Sequence, residues 1–306
     1  MSVNKIVTKV DGVENKTIDF NDLKAGLASG SHTITVEAWS GAALISTQTK
    51  NITITAVAAY DADYQAVLDY ATTNSIAHPD AGQKTIDNQL ILDLKSNGFW
   101  AKADVFINYG GTATTAFRRI CWKRLLQVDL FGGLTWSADG IEGNGTNGYV
   151  NLKFKPLSNG VNYQLNNAGI VANIKKNVIG TFSNPKTLVG GYNGTSAGYT
   201  LMGGKSQVGD DQYYIINGAN SSGTTIGKLG LNGIYKPNST EIIGIGSTTI
   251  TLSRTSISPL LDIDLFMLAR NNSGAGSLFS DERIKHLYLG ASLSETEHNT
   301  LESILP

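Results

Sequence analysis

Short apolar runs separated by glycine and asparagine fill the chain from Gly132 onward, and this punctuation restricts it to a β-rich architecture. The stretch from Gly132 to Pro156 sets the pattern. It reads as a strand, a turn at Asp139-Gly140, a glycine-rich crossing and a second strand that ends at Pro156. Asp-Gly between apolar runs favours a hairpin because the tight turns that suit twisted strands need positive φ. Val150, Leu152 and Phe154 alternate with Asn151, Lys153 and Lys155, the period of a half-buried strand.

The same reading continues downstream. Strands are expected at Val171–Ile174, Lys186–Gly191, Tyr199–Gly204, Tyr213–Ile216, Gly227–Leu231, Ile242–Ile245, Thr248–Leu252, Leu265–Ala269 and Ile284–Gly290. Glycine repeatedly follows apolar residues, as curved sheets require for bends and bulges. With the strand at Val105–Tyr109, this predicts a two-sheet jelly roll over residues 104–306. Ser294 and Glu297 form a capping box for a C-terminal helix bearing Leu301, Ile304 and Leu305.

Residues 1–56 have a different texture. Ile6–Val10, Thr17–Phe20, His32–Trp39, Leu44–Ser46 and Asn51–Ile54 read as short strands, with turns at Asp11-Gly12, Ser29-Gly30 and Ser40-Gly41. Ile34, Val36 and Ala38 alternate with Thr33, Thr35 and Glu37. The run from Leu23 to Ala38 resembles the second half of an immunoglobulin-like or fibronectin type III-like sandwich. Such domains need about 100 residues. The unit is therefore either a minimal module or one completed by a strand from a partner, which would make it the anchoring end.

Residues 57–103 form a linker and a two-helix collar. Asp61 or Asp63 caps a helix with the stripe Tyr64, Val67, Leu68 and Ala71. A second helix over about 80–96 carries Ile86, Leu90, Ile91 and Leu94 and stops at Asn97-Gly98. Both stripes are expected to pack on the β domain.

The formal net charge is -1 and 16% of residues are charged, so no basic field for nucleic acid exists. The one basic cluster, Arg118, Arg119, Lys123 and Arg124, is expected to be a solvated loop or a packing surface. The single cysteine, Cys121, excludes an internal disulfide and reads as a buried thiol. No run approaches the roughly 18 apolar residues of a membrane span, so no membrane insertion is expected. Met1–Lys5 lacks a signal segment, and release by lysis within a virus particle would reconcile that with a polar, extracellular composition.

Four motifs occur together in order: Leu94–Lys102, Gly143–Tyr149, Phe266–Gly274 and Leu287–Glu297. As a set they resemble the concanavalin-like, laminin-G-like domains of bacteriophage virion proteins, over about residues 61–305. The resemblance implies a non-enzymatic fibre, spike or head-decoration protein at the virion surface. It would be bound to other virion proteins through residues 1–56 and display a lectin-like domain for host-surface or glycan adhesion. A homo-oligomer, trimeric by analogy with fibres, is implied as well. The alternatives are a polysaccharide-degrading enzyme of this fold and a purely architectural part without ligand.

Candidate chemistry is sparse. Glucanases of this fold class use a strand with carboxylates at Glu-x-Asp-x-x-Glu, and Asp262-Ile263-Asp264 offers two without a third. No catalytic residue and no cofactor are assigned. Calcium is the one metal considered, with Asp139, Asn144 and Asn147 as candidate ligands and Glu142, Asp210-Asp211 and Asp281-Glu282 as further oxygen donors. Asp139, Asn144 and Asn147 also read simply as turn residues. Trp136, Tyr149 and Tyr192 are the candidate glycan-stacking aromatics, with Tyr199 beside them. His32, His78, His286 and His298 lack a nucleophile context.

Overall fold

The computed structural model describes residues 5–10, 13–15, 30–40, 43–54, 60–176, 186–194, 199–205, 211–218, 225–226, 229–253, 255–256 and 259–305. The chain divides into two compact units, Met1–Ala59 and Tyr60–Pro306.

In the first unit, four antiparallel strands form one sheet in the order Val13–Asn15, Lys5–Val10, Gly30–Ser40 and Ala43–Ile54. Leu44–Ser46 and Asn51–Ile54, read as two strands, belong to one strand of 12 residues. It pairs with Gly30–Ser40 along its whole length, with a bulge at Ala38/Trp39. The expected strand at Thr17–Phe20, with Leu23 and Leu27, lies outside the described residues.

The second unit is mainly β, a two-sheet sandwich of the jelly-roll type with helices on one outer face. The first sheet runs Thr249–Ser253, Glu241–Ile245, Gly230–Lys236, Ala168–Lys176, Arg283–Gly290, Gly140–Glu142, Thr135–Ser137, and Ala103–Asn108 also pairs with Arg283–Gly290. The second runs Thr225–Ile226, Asp211–Ile215, Tyr199–Lys205, Thr187–Tyr192, Phe266–Met267, Tyr149–Asn151, Asp129–Phe131. The glycine-rich segment 143–148 carries the chain from one sheet to the other, since Gly140–Glu142 pairs in the first and Tyr149–Asn151 in the second.

Alternation along the central strands builds two cores. Val105, Ile107, Ile170, Ala172, Leu287 and Leu289 face the second sheet. Phe106, Val171 and Tyr288, one residue out of phase, face the helices. Asn173 pairs with His286 but Ile174 pairs with Ile284, so Lys285 is the extra residue of a bulge. That bulge lets Ile284 and Leu287 both point inward. Truncating one of these buried rings, as in Phe106→Ala, costs about 3–5 kcal/mol.

Helices α1 (Ala62–Thr73) and α2 (Ala81–Ser96) begin at Asp61 and Asp80, whose side chains accept from the Asp63 and Gln83 backbone amides. Gly98, at φ 77°, turns the chain out of α2. Both helices belong to the same compact unit as the sandwich, their apolar stripes buried against its first sheet. One residue departs from expectation. Ile86 is 62% exposed, and Asp87 is buried in its place. The terminal helix Glu295–Ile304 carries the expected capping box, and buries His298 along with Leu301. Among the described residues no helix is long and apolar enough to cross a membrane.

The opening hairpin is shifted by one residue from its expected position. Gly140 pairs with Ser137, so the turn is Ala138-Asp139, and Gly140 at φ 123° starts the return strand. The strand expected to reach Pro156 keeps its alternation, with Val150, Leu152 and Phe154 fully buried, but its regular part is Tyr149–Asn151. Lys153, at φ 51°, breaks it.

Candidate functional site

Asp262-Ile263-Asp264 is an irregular segment and not part of a strand, which corrects the expectation of two carboxylates on a strand face. Leu261 and Leu265 anchor it in the core and approach Gly191, where a Cβ would come within 2.6 Å of Leu261. Between these anchors the two aspartates line a recess of about 410 Å³ together with Lys155, Asn193, Asn271 and Ser273. Asn271 fixes the far wall: its Nδ2 donates to the Asp264 carbonyl at 2.7 Å and its Oδ1 accepts from the Gly274 amide at 2.7 Å. Ser273 and Gly274, at φ 51° and 101°, form the two-residue turn between Arg270–Asn272 and Ala275–Ser277.

One oxygen of each carboxylate is held by the protein. Ser158 Oγ donates to Asp262 Oδ1, and Asn151 Nδ2 donates to Asp264 Oδ2 at 3.1 Å. The other two oxygens, Asp262 Oδ2 and Asp264 Oδ1, have no hydrogen-bond donor among the described residues. They are pre-positioned acceptors at the edge of the recess.

Tyr192 adjoins the recess: its carbonyl accepts from the Ser273 amide at 2.9 Å, and the next residue, Asn193, is a wall. Its ring meets Tyr199 edge-on at 5.3 Å, and the Arg270 guanidinium lies 5.4 Å from its centroid. The other two stacking candidates are placed differently. Tyr149 is sandwiched between Phe131 and Phe266, each 4.7 Å away and stacked, so both ring faces are covered. Trp136 packs on Tyr109 at 6.0 Å and carries Arg118 over its ring at 4.8 Å. Of the three, Tyr192 alone lies beside the recess.

The calcium candidates do not converge. Asp139 sits in the hairpin turn of the first sheet. Asn144 Oδ1 accepts from the amides of Thr146, Asn147 and Gly148 at 2.9–3.0 Å. Asn147 Oδ1 accepts from Asn144 Nδ2 at 2.7 Å and from the Gly133 amide at 3.3 Å. Calcium needs six to eight oxygens, and these two already cap backbone N–H groups as turn residues do. Glu142 is taken up by Lys176 at 2.5 Å and Arg283 at 2.6 Å. Burial raises its carboxyl, but those two cations outweigh burial and hold it below its ordinary value. Asp281 lies 3.7 Å from Lys186, Glu282 Oε2 accepts from Ser280 Oγ at 2.7 Å, and Asp210 is outside the described residues. Among the described residues no three His, Cys, Asp or Glu side chains are grouped to hold a metal.

The basic cluster is structural. Arg118 donates to the carbonyls of Tyr109, Gly111 and Ser137, Arg119 to Val128, Lys123 to Trp100 and Arg124 to Lys153. Cys121 is buried, and burial pushes its thiol up, away from nucleophilic use. His78 Nε2 bonds the Leu68 carbonyl at 3.0 Å, and His298 Nδ1 bonds the Tyr235 hydroxyl at 2.6 Å.

Sequence reasoning missed Lys155, Asn193, Asn271 and Ser273. The signal was Asn271-Asn272-Ser273-Gly274, a tight-turn sequence that starts seven residues after Asp264, the second of two aspartates flanked by leucines.

No family model matches the chain, and no curated protein matches it. Among solved structures it is similar to domain 4 of AbnA, a GH43 extracellular arabinanase from Geobacillus stearothermophilus, in complex with arabinotriose. The identity is 10% and the TM-score 0.36, over 67% of this chain and 98% of that one.

Proposed function

We propose that residues 60–306 bind glycans without cleaving them. On this reading the protein is a structural component of a bacteriophage virion, of fibre, spike or head-decoration type, attached to other virion proteins through residues 1–56. The observation that carries the binding role is the recess at Asp262 and Asp264, whose two unengaged carboxylate oxygens sit beside Asn271 and Ser273, with the Tyr192 backbone adjoining. Sugar hydroxyls donate to paired fixed acceptors, and an aromatic edge or face shields the C–H side of the ring. The virion placement rests on the resemblance of Gly143–Tyr149, Phe266–Gly274 and Leu287–Glu297 to phage lectin-like domains. Non-catalytic action is favoured because the carboxylates lie on a loop, each with one oxygen committed to a neighbour, and no third acid accompanies them on a strand.

The test is a glycan array with the full chain, followed by calorimetry on hits with the wild type and Asp264→Ala. Saturable binding that the substitution weakens tenfold or more supports the reading. No binding to any glycan would leave the architectural role, and release of reducing sugar from a bound polysaccharide would make the protein an enzyme. Antibody labelling of purified phage particles tests the location.

A further inference from the structure

The strand Ala43–Ile54 ends the four-stranded sheet of the first unit. Gly30–Ser40 pairs with one side of it along its whole length. Among the described residues no strand pairs with its other side. Ser46, Thr47, Gln48 and Thr49 are all exposed. Successive residues of a strand point to opposite faces, so the middle of this strand meets solvent on both faces as well as at the edge.

The two edges of the sheet differ. Val13–Asn15, at the far side, is three residues long and carries Glu14 at its centre. Ala43–Ile54 has 12 residues, no proline, no glycine and one charge, Lys50. The bulge at Ala38/Trp39 leaves Ile45 unpaired, so the regular part is Ser46–Ile54. Thr47, Thr49, Ile52, Thr53 and Ile54 are β-branched and suit a pleated sheet. A long row of unpaired N–H and C=O groups on such a strand is a template for another strand.

The sequence of the strand selects its partner. Two identical strands can pair antiparallel about a two-fold axis normal to the sheet, which sets one residue opposite its own copy. A pairing centred on Lys50 would oppose two ammonium groups, and like charges directly opposite are destabilising. A pairing centred on Thr49 sets Thr49 against Thr49, Gln48 against Lys50, Thr47 against Asn51 and Ser46 against Ile52, and no charge meets its like. It also stays within the regular part of the strand. Thr–Thr is a favourable cross-strand pair. Thr49 Oγ1 lies 3.4 Å from Thr35 Oγ1 on the neighbouring strand, so the threonine row would run on across the axis into the second copy.

We propose that two copies of the chain join through this edge, Ala43–Ile54 against Ala43–Ile54, antiparallel about Thr49, to form one continuous sheet. Edge pairing about a two-fold axis closes at two copies. The expected assembly is thus a dimer, where the fibre resemblance implies a trimer. The inference does not rest on the glycan or the virion reading.

The test is the light-scattering mass of the full chain over a range of concentrations, with Thr49→Lys and two cysteine variants. A concentration-dependent dimer is expected, weakened about fivefold by Thr49→Lys, which opposes two ammonium groups at the axis. Under mild oxidation with diamide, Thr49→Cys is expected to link two chains, because residues directly opposite lie about 4.5–5.5 Å apart at Cα, within disulfide reach. Thr47→Cys is not, because this register sets it opposite Asn51 and not its own copy. Cys121 is buried and does not compete. A monomer at every concentration would overturn the proposal and leave the edge to a strand from a different protein. A trimer, a dimer that Thr49→Lys leaves intact, or linking through Thr47→Cys and not Thr49→Cys would overturn it too. If Thr49→Lys misfolds, the mass of the wild type and the two cysteine variants decide.

Discussion

The Asn108 side-chain amide donates to Asp87 Oδ1 at 3.1 Å, so the end of a central strand and the middle of α2 share one buried carboxylate. Gln83 and Tyr64 donate to the same group at 2.8 and 3.2 Å. Three donors from three elements converge on a side chain that is 2% exposed. The carboxylate registers both helices against the sheet, and it does so at an electrostatic cost.

That cost predicts a pH dependence. Burial raises Asp87 from 3.8 to about 6, against the pull of its three donors. The folded state therefore holds a proton between pH 4 and 6 that the unfolded chain has released. Stability contributed by this group is greatest near pH 4, falls as pH rises through 6, and is flat above. The change is about 3 kcal/mol. Urea denaturation at pH 4.5 and 7.5 checks it: Asp87→Asn is expected to flatten this part of the profile and to gain stability relative to wild type at the higher pH.

Glu297 acts in the opposite direction at lower pH. Burial raises it, while Lys102 and the Ser294 cap hold it below its ordinary value. Its contribution is present above the ordinary glutamate value and is lost as pH falls through the folded one. Ser294→Ala removes the cap to the Glu297 amide and is expected to cost about 1 kcal/mol at neutral pH. Thermal denaturation measures that loss.

Gly143 marks the crossing between sheets. A Cβ there would stand 2.0 Å from the Ser280 carbonyl oxygen, a backbone atom. The amides of Gly143 and Gly145 donate to Glu282 and Ser280, so the segment cannot lift away without losing both bonds. Gly143→Ala is expected to destabilise the unit by about 3 kcal/mol, read as a drop in the urea midpoint with unchanged slope.

How much was readable follows from what each feature depends on. Caps and turns depend on neighbours in sequence, so Asn97-Gly98 and Ser294/Glu297 were legible from composition and spacing alone, and the first cap was narrowed to Asp61 or Asp63, of which the structure uses Asp61. The alternating strands were legible too, because their period of two survives any sheet order. Ile86 and Asp87 were not. Helical spacing assigned Ile86 to the core, and the donors Asn108, Gln83 and Tyr64, two of them on other elements, make Asp87 tolerable there. The recess at Asp262 was half legible: the aspartates were visible, but the loop conformation depends on Leu261 and Leu265 packing on Gly191, a contact across 70 residues. Asn144 and Asn147 show the reverse case. Their residue types fit both a metal loop and a turn, and only hydrogen-bond partners distinguish the two.

Arg118 carries the last prediction. Its guanidinium is 7% exposed, reaches the carbonyls of Tyr109 at 3.1 Å and Gly111 at 3.3 Å, and also bonds Ser137 while lying over Trp136. Burial lowers its pKa without discharging it. One planar cation thus ties the end of the Ala103–Asn108 strand to the hairpin that carries Trp136. All three bonds come from Nη1, so lysine can supply the charge and the donors but not the planar stacking over Trp136. Arg118→Lys is expected to cost about 1–2 kcal/mol, and Arg118→Met about 3 kcal/mol because buried carbonyls lose their donor. If the cluster gripped a phosphate backbone instead, both variants would fold with wild-type stability and lose affinity for single-stranded DNA. Denaturation midpoints combined with a salt titration of DNA binding separate the two roles, and the bonds to backbone carbonyls favour loss of stability with no DNA affinity to lose.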